Sequence, residues 1–278
     1  MATAGLLRLG RPAGARTGAN LLTAPLSLGG EWPSAAGDTA LRVTTRMREA
    51  CLSGIRLLSD RQPRRLRVDE HSTGPPSVWR HTGDPDMAVV NVDMPPRDWP
   101  RLAYQFGHEL GHVLCNSWDW GAKPRLPCQW LEESMVEALS LASLPLLAAG
   151  GERVPLVPGD TDFPATIRKY RAFLLGRYVQ AGGGIEAGAP LAGWFRATRA
   201  ALEQNNGLAK FEGPMIVTIV GLLEHDRGYI EDYGALNRWP GRSAVPLEEY
   251  LRLWQASCGE IRSPGRLPAR LKEALGLA

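Results

Sequence analysis

Two histidines four residues apart, with a glutamate directly after the first, constrain this chain more than any other feature. They stand in the segment His108-Glu109-Leu110-Gly111-His112. Residues four apart lie on the same face of an α-helix, so the two imidazole rings can bind a single metal ion. Glu109 projects about 100° further round such a helix, where its carboxylate could act as a general base on water. The pattern therefore predicts a helix that carries a zinc site, since zinc binds paired histidines of this kind.

A catalytic zinc ion needs a third protein ligand and one position open for water. No histidine follows His112 until His225, and three glutamates lie at the start of the next predicted helix: Glu132, Glu133 and Glu137. Glu133 and Glu137 are four residues apart and share a helix face. This pair can supply one metal ligand and one acid that hydrogen-bonds a ligand histidine. Glu132 remains the alternative third ligand.

The composition does not indicate a nucleic-acid-binding or membrane protein. The net charge of +3 in 278 residues is small, and like charges do not form blocks. The longest apolar runs, residues 139–149 and 215–223, are too short to span a bilayer. With 44% hydrophobic residues, the chain can bury a core as one large domain or as two lobes around a cleft. The four dispersed cysteines form no CxxC pair and are expected to be reduced.

Residues 1–37 are expected to form a loosely ordered leader. The segment is rich in Ala, Arg and Gly and has no acidic residue before Glu31. Its apolar run at residues 5–9 is interrupted too early for a secretory signal, which needs about 7–15 apolar residues. We therefore expect a cytoplasmic protein.

The apolar periodicity predicts an α+β fold with an N-terminal α/β lobe over residues 38–116. This lobe is expected to begin with a helix over residues 39–58. Three short strands follow, and the predicted ranges are residues 64–69, 77–81 and 87–92. The HExxH helix then runs from Trp99 to about Cys115, with Asp98 as its N-cap.

Residues 117–278 are expected to form a mostly helical C-terminal lobe that carries the third metal ligand. Glycine and proline breaks separate its predicted helices. These helices span residues 131–149, 161–180, 190–204, 214–224, 247–258 and 268–275.

The HELGH segment, followed downstream by Trp130-Leu131-Glu132-Glu133-Ser134-Met135-Val136-Glu137, resembles the gluzincin clan of zinc peptidases, which includes thermolysin. The resemblance covers residues 87–149. It implies a zincin-like fold, in which a small N-terminal sheet precedes the active-site helix. It also implies one zinc ion per chain, with His108, His112 and Glu133 as ligands, Glu109 as the base and Glu137 behind a ligand histidine.

The sequence departs from the gluzincin pattern at one informative position. Glu132 stands where these families commonly have an asparagine, so both Glu132 and Glu133 remain candidates for the third ligand. No GxMEN-type motif lies upstream, so an aminopeptidase is not indicated. The clan is therefore indicated without a subfamily.

The expected function is zinc-dependent hydrolysis of a peptide bond in a peptide or protein substrate, with Glu109 as the general base. His225, Tyr229 and Tyr233 lie in a polar, aromatic stretch and are candidates to stabilise the oxyanion. Two alternatives remain: a zinc-dependent hydrolase of a non-peptide amide or ester, and a non-catalytic protein with a vestigial zinc site. The oligomeric state is not indicated.

Overall fold

The computed structural model describes residues 20–30, 32, 36–70, 74–78, 83–183 and 191–277, and within them the fold is α+β. The strands are β1 (Leu26–Gly30), β2 (Arg65–Glu70) and β3 (Met87–Val92). The helices are α1 (Gly37–Leu52), α2 (Trp99–Leu114), α3 (Gln129–Arg153), α4 (Phe163–Ala181), α5 (Ala192–Gln204), α6 (Gly213–His225), α7 (Leu247–Ile261) and α8 (Arg266–Ala274). Short 3-10 helices occupy Trp120–Ala122, Lys210–Glu212 and Arg227–Ala235.

The three strands form a parallel sheet in the order β1-β2-β3, and its composition differs from the expected one. The predictions for β2 and β3 are confirmed. No strand covers the described part of the predicted 77–81 segment, where Ser77 makes one antiparallel bridge to Asn91; residues 79–81 lie outside the described residues. The third strand is β1, which lies inside the expected leader. The prediction of a loosely ordered leader is therefore wrong for β1, while residues 1–19 lie outside the described part of the chain.

Strand β1 is held by backbone pairing, which explains why its side-chain pattern did not predict a strand. It reads Leu-Ser-Leu-Gly-Gly and runs parallel to β2, with Leu26 opposite Leu66 and Gly30 opposite Glu70. Gly30 has φ +81°, and a Cβ atom there would lie 2.6 Å from the Glu70 carbonyl oxygen. Only glycine fits this conformation and this close approach. Helix α1 then provides the crossover that a parallel pair requires.

Helix α1 ends at Leu52, six residues before the predicted end at residue 58. Ser53 is extended, and Gly54 has φ +78°, so the backbone leaves the helical region there. The guanidinium of Arg227 donates hydrogen bonds to the carbonyl oxygens of Ala50 and Cys51, at 2.8 and 2.7 Å. A distant arginine therefore satisfies carbonyls at the end of this helix.

Two glycines bring α2 and α3 into close contact, which positions the histidines over the glutamates of α3. Helix α2 starts as predicted, with the Asp98 side chain accepting a hydrogen bond from the backbone N–H of Arg101. A Cβ atom at Gly111 would lie 2.7 Å from the Cβ of Val136, and one at Gly107 would lie 2.9 Å from the hydroxyl of a serine on α3. The absence of side chains at these two positions lets the helix backbones approach each other.

Helix α3 is the buried central helix of the fold. By length and composition it could cross a membrane, but 78% of its 18-residue apolar stretch is buried inside the protein. Such burial is typical of a core helix in a soluble protein. The described apolar side chains form one core that runs from Leu21 to Leu275 and includes residues of both α2 and α3. The expected lobe boundary at residue 117 thus falls within this core, and the division into lobes stays a prediction.

The four cysteines are free and buried, as the sequence predicted. Burial raises the pKa of the Cys51 thiol to about 11 and that of the Cys128 thiol to about 12. These thiols are therefore protonated packing residues at neutral pH.

Candidate metal centre

His108, His112 and Glu133 form a group that could hold a metal ion, and we call these three residues the ligand group. Each offers one ligand atom, and these atoms all lie within 4.8 Å of one another. The carboxylate oxygen Oε2 of Glu133 lies 3.4 Å from Nε2 of His108 and 3.6 Å from Nε2 of His112. The helical spacing explains the arrangement, because the two rings project from one face of α2 toward the facing helix α3. Both nitrogens therefore point toward one carboxylate oxygen.

The opposite edge of the His108 ring is held by Glu137. Nδ1 of His108 lies 2.9 Å from Oε2 of Glu137. The same carboxylate accepts hydrogen bonds from the hydroxyls of Tyr104 at 2.9 Å and Tyr178 at 3.0 Å. A hydrogen bond from Nδ1 to this carboxylate fixes the orientation of the His108 ring and leaves Nε2 as the nitrogen that faces Glu133. Glu137 thus lies against the ring of His108, at the nitrogen that does not face Glu133.

Glu132 plays the same part for His112. Its Oε1 lies 2.6 Å from Nδ1 of His112, and it also accepts a hydrogen bond from Ser117 at 2.6 Å. The amide of Asn237 donates to the other oxygen of this carboxylate. Because Nδ1 and Nε2 are on different edges of the ring, Glu132 lies away from the side that Glu133 occupies. The structure therefore groups Glu133, rather than the alternative Glu132, with the two histidines.

The second oxygen of Glu133 faces Gln129, one helical turn earlier on α3. The amide Nε2 of Gln129 lies 3.5 Å from Oε1 of Glu133 and donates at 2.8 Å to the carbonyl oxygen of Asn206. This contact with Gln129 leaves the other oxygen of Glu133, Oε2, directed at the histidines. Gln129 was not identified from the sequence.

The electrostatics of the group are those of three charged side chains in a buried place. Burial lowers the pKa of His108, but hydrogen bonds with Glu133 and Glu137 outweigh it and raise that pKa to about 10. The pKa of His112 is likewise raised well above its usual value despite burial, through Glu133 and Glu132. Burial raises the pKa of Glu133, yet the two histidines together hold it well below its usual range. A metal cation would take the place of the protons that these rings hold.

Glu109 is buried beside the ligand group but takes no part in its hydrogen bonds. It is 4% exposed, and no hydrogen bond to its carboxylate is found among the described residues. Burial raises the pKa of Glu109, the two histidines lower it, and the nearby carboxylates of Glu133 and Glu132 raise it again. Glu109 is therefore a buried carboxyl group next to three residues that could hold a metal ion.

The three candidates for stabilising an oxyanion lie elsewhere in the described structure. Tyr233 is fully buried, and its hydroxyl donates to the carbonyl oxygen of Met135 at 2.9 Å. The ring of Tyr229 lies under the guanidinium of Arg266, at 5.0 Å from the ring centroid. His225 is exposed in the last turn of α6. The described contacts bring none of these three side chains to His108, His112 and Glu133, because the two tyrosines contact other elements and His225 is exposed.

Comparisons of the chain with protein-family models, with curated proteins and with solved structures find no match. The functional assignment therefore depends on the geometry of the described residues.

Proposed function

We propose that this protein is a zinc-dependent peptidase of the gluzincin type with a zincin-like fold. The observation that carries the proposal is the paired orientation of His108 and His112. Each ring has its Nδ1 held by a carboxylate and its Nε2 turned toward Glu133. Pairs of this kind fix the tautomer and orientation of metal-binding histidines.

The donor set suits zinc and a catalytic site. Two imidazole nitrogens and one carboxylate oxygen are a common ligand set of catalytic zinc, which keeps one position open. A structural site would have a fourth protein ligand, and the group of described residues holds three: His108, His112 and Glu133. When bound there, zinc would polarise a substrate carbonyl and lower the pKa of water.

Residues of the chain transfer the proton and keep the metal-binding rings oriented. Glu109 accepts a proton from the attacking water and passes it to the leaving amine, so it acts first as a base and then as an acid. Its burial and its lack of a hydrogen-bond partner among the described residues support this role. Glu132 and Glu137 keep the rings of His112 and His108 oriented throughout the reaction.

The proposed substrate is a peptide or protein, and the proposed location is the cytoplasm. The four free cysteines support that location, because reducing compartments keep thiols unpaired.

A peptide library analysed by mass spectrometry tests the proposed activity. We expect cleavage by the zinc-loaded wild type, none after removal of zinc with a chelator, and none by zinc-loaded Glu109→Gln. This variant matches the wild type in side-chain size and removes only the ionisable group. No cleavage of any peptide, with turnover of a panel of non-peptide amides or esters, would replace the peptidase with the alternative hydrolase. No turnover of any substrate would support the vestigial site.

A further inference from the structure

A buried row of hydrogen bonds joins helix α7 to the metal centre. The hydroxyl of Tyr250 on α7 donates to Oδ1 of Asn237 at 2.9 Å. The amide Nδ2 of Asn237 donates to Oε2 of Glu132, and Oε1 of Glu132 lies 2.6 Å from Nδ1 of His112. All four residues are at most 1% exposed. The proposed catalytic mechanism uses neither Tyr250 nor Asn237.

We propose that Asn237 and Tyr250 are positioning residues of the metal centre. They hold the carboxylate of Glu132 in the orientation that keeps Nδ1 of His112 engaged and its Nε2 directed toward the metal. The inference depends on the proposed zinc site.

Glu132 needs donors at both of its oxygens because its carboxylate is fully buried. Oε1 accepts from His112 and from Ser117 at 2.6 Å, and Oε2 accepts from Asn237. Ser117 lies 15 residues before Glu132 in the chain, whereas Asn237 lies 105 residues after it. Without Asn237, one oxygen of a buried carboxylate would lose the donor that fixes its rotation.

Tyr250 determines which end of the Asn237 amide faces Glu132. Its hydroxyl donates to Oδ1, so the NH₂ group of the amide is directed to the carboxylate. The reversed amide would place Oδ1 against the negative oxygen of Glu132, which is repulsive. The backbone N–H of Asn237 also donates to the carbonyl oxygen of Cys115 at 3.3 Å, just beyond the end of α2. These contacts fix Asn237 relative to the helix that carries His112.

The fold provides a matched control for the Tyr250 hydroxyl. Tyr233 is as fully buried as Tyr250, and its hydroxyl makes a hydrogen bond of the same length, 2.9 Å. Its acceptor is the backbone carbonyl of Met135, which takes no part in the row that leads to His112. Tyr250→Phe and Tyr233→Phe should therefore lower stability by similar amounts, because each removes one buried hydrogen bond. Only Tyr250→Phe should alter the metal centre.

The test compares zinc affinity, measured by competition with a chromophoric chelator, in wild type, Asn237→Leu, Tyr250→Phe and Tyr233→Phe. We expect affinity to fall by about 10–100-fold in Asn237→Leu, since loss of such a partner typically has that effect. Tyr250→Phe should show a smaller loss in the same direction, and Tyr233→Phe none. The visible absorption bands of the cobalt-substituted protein should change in the first two variants alone, because the ligand geometry at His112 changes.

Wild-type zinc affinity and an unchanged cobalt spectrum in Tyr250→Phe and Asn237→Leu would overturn the inference and leave the zinc site in place. If Asn237→Leu does not fold, Tyr250→Phe decides the question by itself. Failure of the wild type to bind zinc would overturn both the inference and the proposed function.

Discussion

Nδ1 of His112 lies 2.6 Å from the carboxylate of Glu132, at the ring edge away from the nitrogen that faces the candidate metal position. Two adjacent glutamates on α3 therefore make different contacts. Glu133 belongs to the group that could hold a metal ion, and Glu132 is hydrogen-bonded to the other ring nitrogen of His112. The two residues are adjacent in the sequence, and only their contacts distinguish them.

The first prediction separates these two glutamates by substitution with glutamine, which preserves side-chain volume. Glu133→Gln should lose zinc almost completely, because a neutral amide oxygen is a poor replacement for a carboxylate ligand. Glu132→Gln should keep zinc with affinity reduced by about 10–100-fold, as expected for loss of a partner behind the ligand. Zinc affinity is measured by chelator competition, with Glu109→Gln as the control that should match wild type. Tighter binding by Glu133→Gln than by Glu132→Gln would reverse the assignment.

The second prediction concerns the close approach of α2 and α3 at Gly111. Gly111→Ala would place a Cβ atom 2.7 Å from the Cβ of Val136, so the two helices must move apart. We expect a loss of about 1–3 kcal/mol in the free energy of unfolding, typical of overpacking. Zinc affinity should fall as well, since the histidines move away from Glu133. Urea denaturation measures the free energy of unfolding, and chelator competition measures the zinc affinity.

Gly150→Ala is the matched control for this effect. Gly150 lies inside helix α3, and a Cβ atom there would meet nothing within 4 Å. Alanine should therefore stabilise the helix by about 0.5–1 kcal/mol through its better helix propensity and leave zinc affinity unchanged. Equal effects of the two substitutions would show that helix separation does not control the site.

Much of the fold, and the histidine pair of the site, were predictable because the sequence patterns that indicate them are local. The spacing of His108 and His112 and the N-cap at Asp98 each lie within one helix, and the structure places α2 where those signals put it. Tyr104 stands four residues before His108 on the same helix face, so its contact with Glu137 could have been inferred from spacing.

The remaining parts depend on contacts between distant parts of the chain. Tyr178 lies 41 residues from Glu137, and Asn237 lies 105 residues from Glu132, so no periodicity connects them. Strand β1 is held by backbone pairing and contains two glycines, which sequence propensity counts against a strand. Tertiary pairing decided its structure instead.

The third prediction concerns Glu212, a buried acid whose pKa is influenced by the nearby Glu133. Its carboxyl group accepts hydrogen bonds from Ser134 at 2.9 Å and Asn205 at 2.7 Å. Burial nevertheless raises the pKa of Glu212 from 4.5 to about 8. A raised pKa in the folded state means that the folded protein binds this proton more tightly than the unfolded chain. The stabilisation is therefore fully present below pH 4.5 and is lost as the pH rises through about 8.

Urea denaturation between pH 4 and pH 9, with a chelator present to exclude metal effects, checks this prediction. Between pH 4.5 and about pH 8, the wild type should lose up to about 1.4 kcal/mol of stability per pH unit relative to Glu212→Gln, which cannot ionise. A constant difference between wild type and Glu212→Gln over the whole range would show that Glu212 has an ordinary pKa.

The most direct test of the proposed zinc site is an anomalous difference map from a crystal of the zinc-loaded protein, recorded at the zinc absorption edge. We expect one zinc peak, bonded to Nε2 of His108, Nε2 of His112 and a carboxylate oxygen of Glu133 at about 2.0–2.2 Å. The carboxylates of Glu132 and Glu137 should remain on the Nδ1 atoms of the two rings. A zinc peak bonded to Glu132 in place of Glu133, or no peak between the two histidines of a zinc-saturated crystal, would contradict the proposed site.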